Sequence, residues 1–159
     1  MTYVERAAKS VVTRYGRDPW AVADAIGLAV YEMPLPGKYR ELYIGGKRQG
    51  GGRAIVLAPN LTAADARALL AHGLGHHFLH TGNRLHPGAR RVGFIRSERQ
   101  ADDFAAYLLV PPLELTRRLS EIDAPDAYEL ADHFTVPLEV VARRVSLLAG
   151  DTGSLTPIT

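Results

Sequence analysis

The sequence predicts an α+β fold that is mostly helical, with a small antiparallel sheet and a closing pair of helices in helix-turn-helix order. Three observations carry this expectation. Apolar residues and histidines recur at four-residue steps through the sixties and seventies, which is the repeat of a helix presenting two faces. Two short runs of strand-forming residues, Tyr39 to Gly46 and Arg53 to Leu57, flank the glycine-rich segment Gly45-Gly46-Lys47-Arg48-Gln49-Gly50-Gly51-Gly52. From Tyr128 to Val145, a small residue follows the first apolar anchor, a turn falls near Thr135, and Pro137 opens a second helix.

In chain order, residues 4 to 15 and 18 to 28 read as helices, with Asp18-Pro19 starting the second. The two strand runs then form a hairpin across the glycine loop. That loop has no lysine or serine in Walker order and no helix directly after it, so it reads as a hairpin bordering the site and not as a phosphate cradle. A helix over 63 to 80 follows from Thr62 and Asp65 as a start signal and Gly82-Asn83 as a stop. Ser97 with Gln100 has capping-box spacing, so another helix is expected from there to Pro111-Pro112. The tail from Asp151 to Thr159 reads as frayed.

Within the 63 to 80 helix, Leu70, Leu74 and Phe78 form one stripe, while His72, His76 and His80 form another on nearly the opposite side. One stripe packs; the other presents nitrogen. The run His72-Gly73-Leu74-Gly75-His76 has the histidine spacing of the zinc motif H-E-x-x-H, with Gly73 where the general-base glutamate belongs. A helix glycine costs about 1 kcal/mol relative to alanine, so Gly75 is expected where another backbone comes close. Gly73 has no comparable reason within the sequence. A zinc site needs a third protein ligand, and Glu98 is the best candidate. It lies with Asp102 along the border of the stripe Ala101, Phe104, Ala105 and Leu108, where Asp102 can hold the far nitrogen of a ligating histidine. His77, His80 and His86 read as packing or surface residues, with a ligand role the alternative for His80 because it continues the stripe. Any replacement base has to come from another element, Glu41 and Tyr107 being the candidates. Gly73→Glu is expected to put a carboxylate back beside the metal and to steady the helix.

The runs Leu69 to His80 and Glu98 to Pro111 resemble the ImmA/IrrE family of metallopeptidases, which pairs a histidine-helix motif with a glutamate-bearing helix ending in Leu-Leu-x-Pro. Asp18-Pro19, Ala23, Ile26-Gly27, Arg53 to Pro59 and Leu130 to Leu148 extend the resemblance over most of the chain. It implies a zincin-like fold, a Zn²⁺ site (Mn²⁺ as the alternative) with His72, His76 and Glu98 as ligands and Asp102 behind them, and a helix-turn-helix transcriptional repressor of a phage or mobile element as the protein partner. Gly73 departs from the family pattern, so hydrolysis is expected to be impaired or absent, as in a degenerate peptidase that works by binding or an inactivated copy of an active enzyme.

Composition sets limits on these readings. At 159 residues the chain is expected to form one domain over 1–122, a helix-turn-helix-like extension packed on it over 123–150, and a tail over 151–159. The absence of cysteine excludes disulfides and a cysteine nucleophile or ligand. There is no apolar signal region at Met1 to Arg6 and no membrane-length apolar run, so a cytoplasmic location is expected. Arg84, Arg90, Arg91, Arg96 and Arg99 raise a second reading, a regulator that contacts DNA through this segment and the terminal helices. A net charge of only +2, the lack of interleaved aromatics, and the thin set Glu139, Arg143 and Arg144 on the second helix make it the weaker one.

Overall fold

The computed structural model describes residues 1–45, 52–80 and 92–152. Seven helices and three strands lie among these residues, in the order α1 (Tyr3–Tyr15), α2 (Pro19–Ala25), β1 (Ala29–Glu32), β2 (Glu41–Ile44), β3 (Ala54–Leu57), α3 (Ala63–Leu79), α4 (Val92–Leu109), α5 (Pro112–Leu119), α6 (Ala127–Phe134) and α7 (Leu138–Thr152). Most of the glycine loop, the stop at Gly82-Asn83, His86, Arg84, Arg90, Arg91 and most of the tail lie outside the described residues.

Local chemistry accounts for most element boundaries. Thr2, Asp18 and Thr62 each accept a backbone N–H in the first turn of their helices, and Asp126 forms a complete capping box with Glu129. Pro111 and Pro112 end one helix and start the next, with Pro112 at the first position of α5. Thr135 closes α6 at a positive φ of 53°, the turn expected there.

Three expectations need correcting. α2 stops at Ala25, where Leu28 N–H bonds back to Ala23 O and Gly27 takes a φ of 70°, turning the chain into a strand. That strand, β1, pairs in parallel with β3, so the sheet is mixed, in the order β1-β3-β2; only the β2–β3 ladder is antiparallel. α4 begins at Val92, which puts Ser97 and Gln100 inside a helix instead of at its cap.

α3 is enclosed on two sides. Strands β2 and β3 lie against one flank and α4 against the other, and α1 and α7 also pack on α4. Leu70, Leu74, Phe104 and Leu108 are fully buried between these layers, and Phe78 stacks on Phe104 at 5.8 Å. Gly75 is the expected point of close approach. A Cβ there would stand 2.9 Å from Ala101 Cα and 3.1 Å from Ala101 O, backbone atoms that cannot swing aside.

α7 is fastened inward by two adjacent arginines. Arg143 Nε donates to Asp103 Oδ1 at 2.7 Å, and its Nη2 donates to Arg99 O at 3.3 Å. Arg144 is buried, donates to Val110 O and lies 4.8 Å over the Tyr107 ring.

Gly75→Ala is therefore expected to destabilise the protein by roughly 1–3 kcal/mol through overpacking, despite a helix-propensity gain of about 1 kcal/mol. Urea unfolding of the two proteins checks this; an unchanged or higher midpoint would show that α3 and α4 can separate without loss.

Candidate metal centre

His72 and His76 lie one turn apart on α3, and the close approach at Gly75 brings Glu98 of α4 onto both. His72 Nε2 and His76 Nε2 are 3.1 Å apart. Glu98 Oε2 is 3.0 Å from the first and Glu98 Oε1 3.0 Å from the second. Among the described residues these three form the group that could hold a metal ion, each offering a ligand atom within 4.8 Å of the others. The three expected ligands and Asp102 meet here, since Asp102 Oδ1 accepts from His72 Nδ1–H at 2.8 Å and so turns Nε2 inward, where it can coordinate once its proton leaves.

His76 is oriented by a chain that the sequence reading did not anticipate. The Gln100 amide oxygen can only accept, so at 2.9 Å it takes a proton donated by His80 Nε2–H. His80 Nδ1 then accepts from His76 Nδ1–H at 3.0 Å, and His76 Nε2 is left as a donor of electrons. His80 is thus not a competing ligand: its ring backs His76. His77 packs, as expected, with its Nδ1 and the Tyr43 hydroxyl sharing a hydrogen bond at 3.0 Å. Helical spacing marked His80 as part of the stripe, but only the paired helix shows which nitrogen it meets.

Two imidazole nitrogens and a carboxylate converging this closely require a cation among them. In the metal-free protein a proton serves. Burial would lower the His72 pKa, but hydrogen bonds to Asp102 and Glu98, with the charge of Glu41 nearby, outweigh burial and raise it to about 10. Burial would raise Glu98, yet its bonds to His72 and His76 hold it well below the usual carboxylate range. Burial and the charge of His72 lower His76, keeping it neutral. The donor chemistry fits a divalent metal, because two neutral imidazoles and one carboxylate are a ligand set that zinc accepts.

Gly73 proves to be a packing glycine. An added Cβ would meet Ile55 Cδ1 at 2.8 Å and Glu41 Oε1 at 3.0 Å. Gly73→Glu would therefore need the ends of Ile55 of β3 and Glu41 of β2 to move aside, a cost the helix pattern alone does not reveal. Glu41 is nearly enclosed: its Oε1 is buried without a hydrogen-bond partner, and its Oε2 lies 3.9 Å from His72 Nε2. Burial, opposed by His72 and reinforced by Glu98 and Asp102, raises its pKa to about 7. Tyr107, the other base considered, lies under Arg144 with its carbonyl held by Arg17, engaged in packing.

The centre opens into a cleft of about 450 Å³ lined by Tyr39, Glu41, Leu69, His72, Asp102 and Val140. β2 is an edge strand of the sheet and forms part of its wall.

A metal has to displace the His72 proton. With a folded pKa of about 10 against an ordinary 6.5, His72 adds stability to the metal-free protein that is complete below about pH 6.5 and lost as pH rises towards 10. Between about pH 8 and 9.5, apparent zinc affinity should rise about tenfold per pH unit while the metal-free unfolding midpoint falls. Asp102→Ala should weaken zinc binding by roughly 10- to 100-fold. Competition with a chelating dye across that range measures both, and a flat profile would show that His72 is already deprotonated.

No curated protein matches the chain. A family model, the IrrE N-terminal-like domain (Peptidase_M78), matches residues 23–146, which include the whole sheet, both histidines, Glu98 and the start of the last helix. With the match covering well over half its length, the chain belongs to the IrrE N-terminal-like family of metallopeptidases.

Proposed function

We propose that the protein is a zinc-dependent member of this family that captures an extended segment of a helix-turn-helix transcriptional repressor in the cytoplasm, with hydrolysis slowed by Gly73. The observation that carries it is the convergence of His72, His76 and Glu98, each histidine braced from behind, beside an edge strand and a cleft.

A zinc ion bound there supplies Lewis acidity and lowers the pKa of water to about 7. The protein's own residues do the rest. Asp102 and the His80–Gln100 pair fix both imidazole tautomers, so the ligands do not reorganise when substrate arrives. Ala58 N–H bonds to Arg40 O, so antiparallel alternation turns the backbone groups of Glu41 and Tyr43 towards the open edge of β2. A peptide can add there by strand pairing and lie across the centre. Strand β3 is central and buried along its length, so it cannot serve.

Without a carboxylate at position 73 the helix has no base of its own, an absence that typically lowers rates by 10²- to 10⁴-fold. The DNA-binding alternative loses support from α7, because Arg143 and Arg144, two of its three candidate base readers, are turned onto α4.

The purified protein should carry one equivalent of zinc, lost in His72→Ala and Glu98→Ala. Zinc-loaded protein should retain, and slowly cleave, a helix-turn-helix repressor encoded beside it. A metal-free wild type whose zinc affinity is unaffected by either substitution would end this reading, and salt-sensitive retention on DNA without a protein partner would replace it with the other.

A further inference from the structure

We infer that Glu41, on strand β2, supplies the carboxylate that the histidine helix lacks and acts as the base toward the attacking water. This rests on the metallopeptidase reading above and names a residue the helix motif does not contain.

The two glycines of α3 mark its two flanks. At about 100° per residue, Gly73 and Gly75 lie roughly 200° apart, one on each flank of the face that carries His72 and His76. The Gly75 flank receives α4 and with it the ligand Glu98. The Gly73 flank receives Ile55 and Glu41, and Glu41 Oε1 stands 3.0 Å from where a Cβ on residue 73 would be. A carboxylate therefore sits on the flank from which a glutamate at 73 would project, delivered by a strand instead of the helix.

Three further features agree. The Glu41 side chain is 10 % exposed and Oε1 has no protein partner, an arrangement that is unfavourable unless water or a bound molecule satisfies it. Oε2 is 3.9 Å from His72 Nε2, too far for a hydrogen bond. Glu41 also stands outside the group of ligand atoms that close to within 4.8 Å of one another, so it borders the centre without joining it. Finally, it lines the cleft where the edge of β2 would hold a peptide.

The step balances simply. Water gives one proton to the Glu41 carboxylate as its oxygen forms the new bond to the peptide carbonyl carbon. The carbon–nitrogen bond then breaks with its electron pair on nitrogen, which takes the proton back from Glu41, leaving an acid and an amine.

The test compares wild type, Glu41→Gln, Gly73→Ala in wild-type and Ile55→Val backgrounds, and the combined Glu41→Gly/Ile55→Val/Gly73→Glu protein, all zinc-loaded. The probes are fluorescein-labelled casein and a peptide hydroxamate whose acidic proton needs a neighbouring carboxylate. Glu41→Gln should keep zinc affinity within about tenfold, short of the 10- to 100-fold loss from removing a ligand's bracing partner, while casein cleavage falls at least about 10²-fold and hydroxamate affinity falls with it. Gly73→Ala should lower the unfolding midpoint less in the Ile55→Val background, and the combined variant should recover cleavage and hydroxamate binding. Undiminished cleavage by Glu41→Gln overturns the assignment, as does a zinc-loaded wild type that binds the hydroxamate no better than Glu41→Gln. Loss of zinc from Glu41→Gln would make it a ligand and overturn it too. A wild type that binds no zinc fails the metallopeptidase reading itself, a result the metal assay separates from the others.

Discussion

The contact on which the centre depends is the passage of α3 against α4 at Gly75 and Ala101. With 2.9 Å between a would-be Cβ and the Ala101 Cα, the two helices meet backbone to backbone. Only at that separation can the short side chain of Glu98 reach Nε2 of both His72 and His76 at 3.0 Å. The same approach puts Asp102 behind His72 and Gln100 behind His80, because residues four and two apart on α4 flank the contact on the side facing the histidines. One missing methyl group thus aligns the ligands and their supports together.

The electrostatics follow from that compression. Metal-free, the protein holds Glu98 and Asp102 against a half-buried His72 and a fully buried His76, an arrangement that a proton on His72 stabilises. Zinc bound there would put two positive charges in place of the one on His72; that proton has to leave first, but Asp102 and His80 already hold both rings in position, so little further reorganisation is needed. The centre therefore selects for charge at that point in either state. Removing Glu98 would take one of the two carboxylates bonded to the His72 imidazolium as well as one ligand.

Much of this was legible in the sequence because it is local. The four-residue spacing of His72 and His76, the polar border holding Glu98 and Asp102, and the need for a close neighbour at Gly75 all follow from helical geometry and held in the structure. β1 was not legible: Ala29 to Glu32 is four residues long and takes its strand identity from a parallel partner some 25 residues later, a non-local pairing with little periodic signal of its own. The Ser97–Gln100 pair misled because capping-box spacing also occurs inside helices, and here Gln100 serves His80. The reason for Gly73 was likewise out of reach, since it belongs to Ile55 and Glu41 on strands that the sequence does not place against α3.

Gly73 and Gly75 can then be understood as one device used twice. A helix interior with two glycines forfeits about 2 kcal/mol of propensity, a loss that continued burial on both flanks must offset. Gly75 admits a helix, and Gly73 admits a strand pair whose Ile55 is fully buried and whose Glu41 reaches the edge of the centre. A side chain at 73 would have to push aside the ends of the Ile55 and Glu41 side chains, so a glutamate there and the present Glu41 compete for the same space on that flank. The two arrangements differ in rigidity as well. A carboxylate on α3 is fixed by the helix that carries the ligands, whereas one on β2 moves with an edge strand, and a peptide pairing with that edge would hold the strand and its carboxylate in place. In such a site the alignment of the base would depend on the substrate being seated, which couples recognition to chemistry through the strand itself.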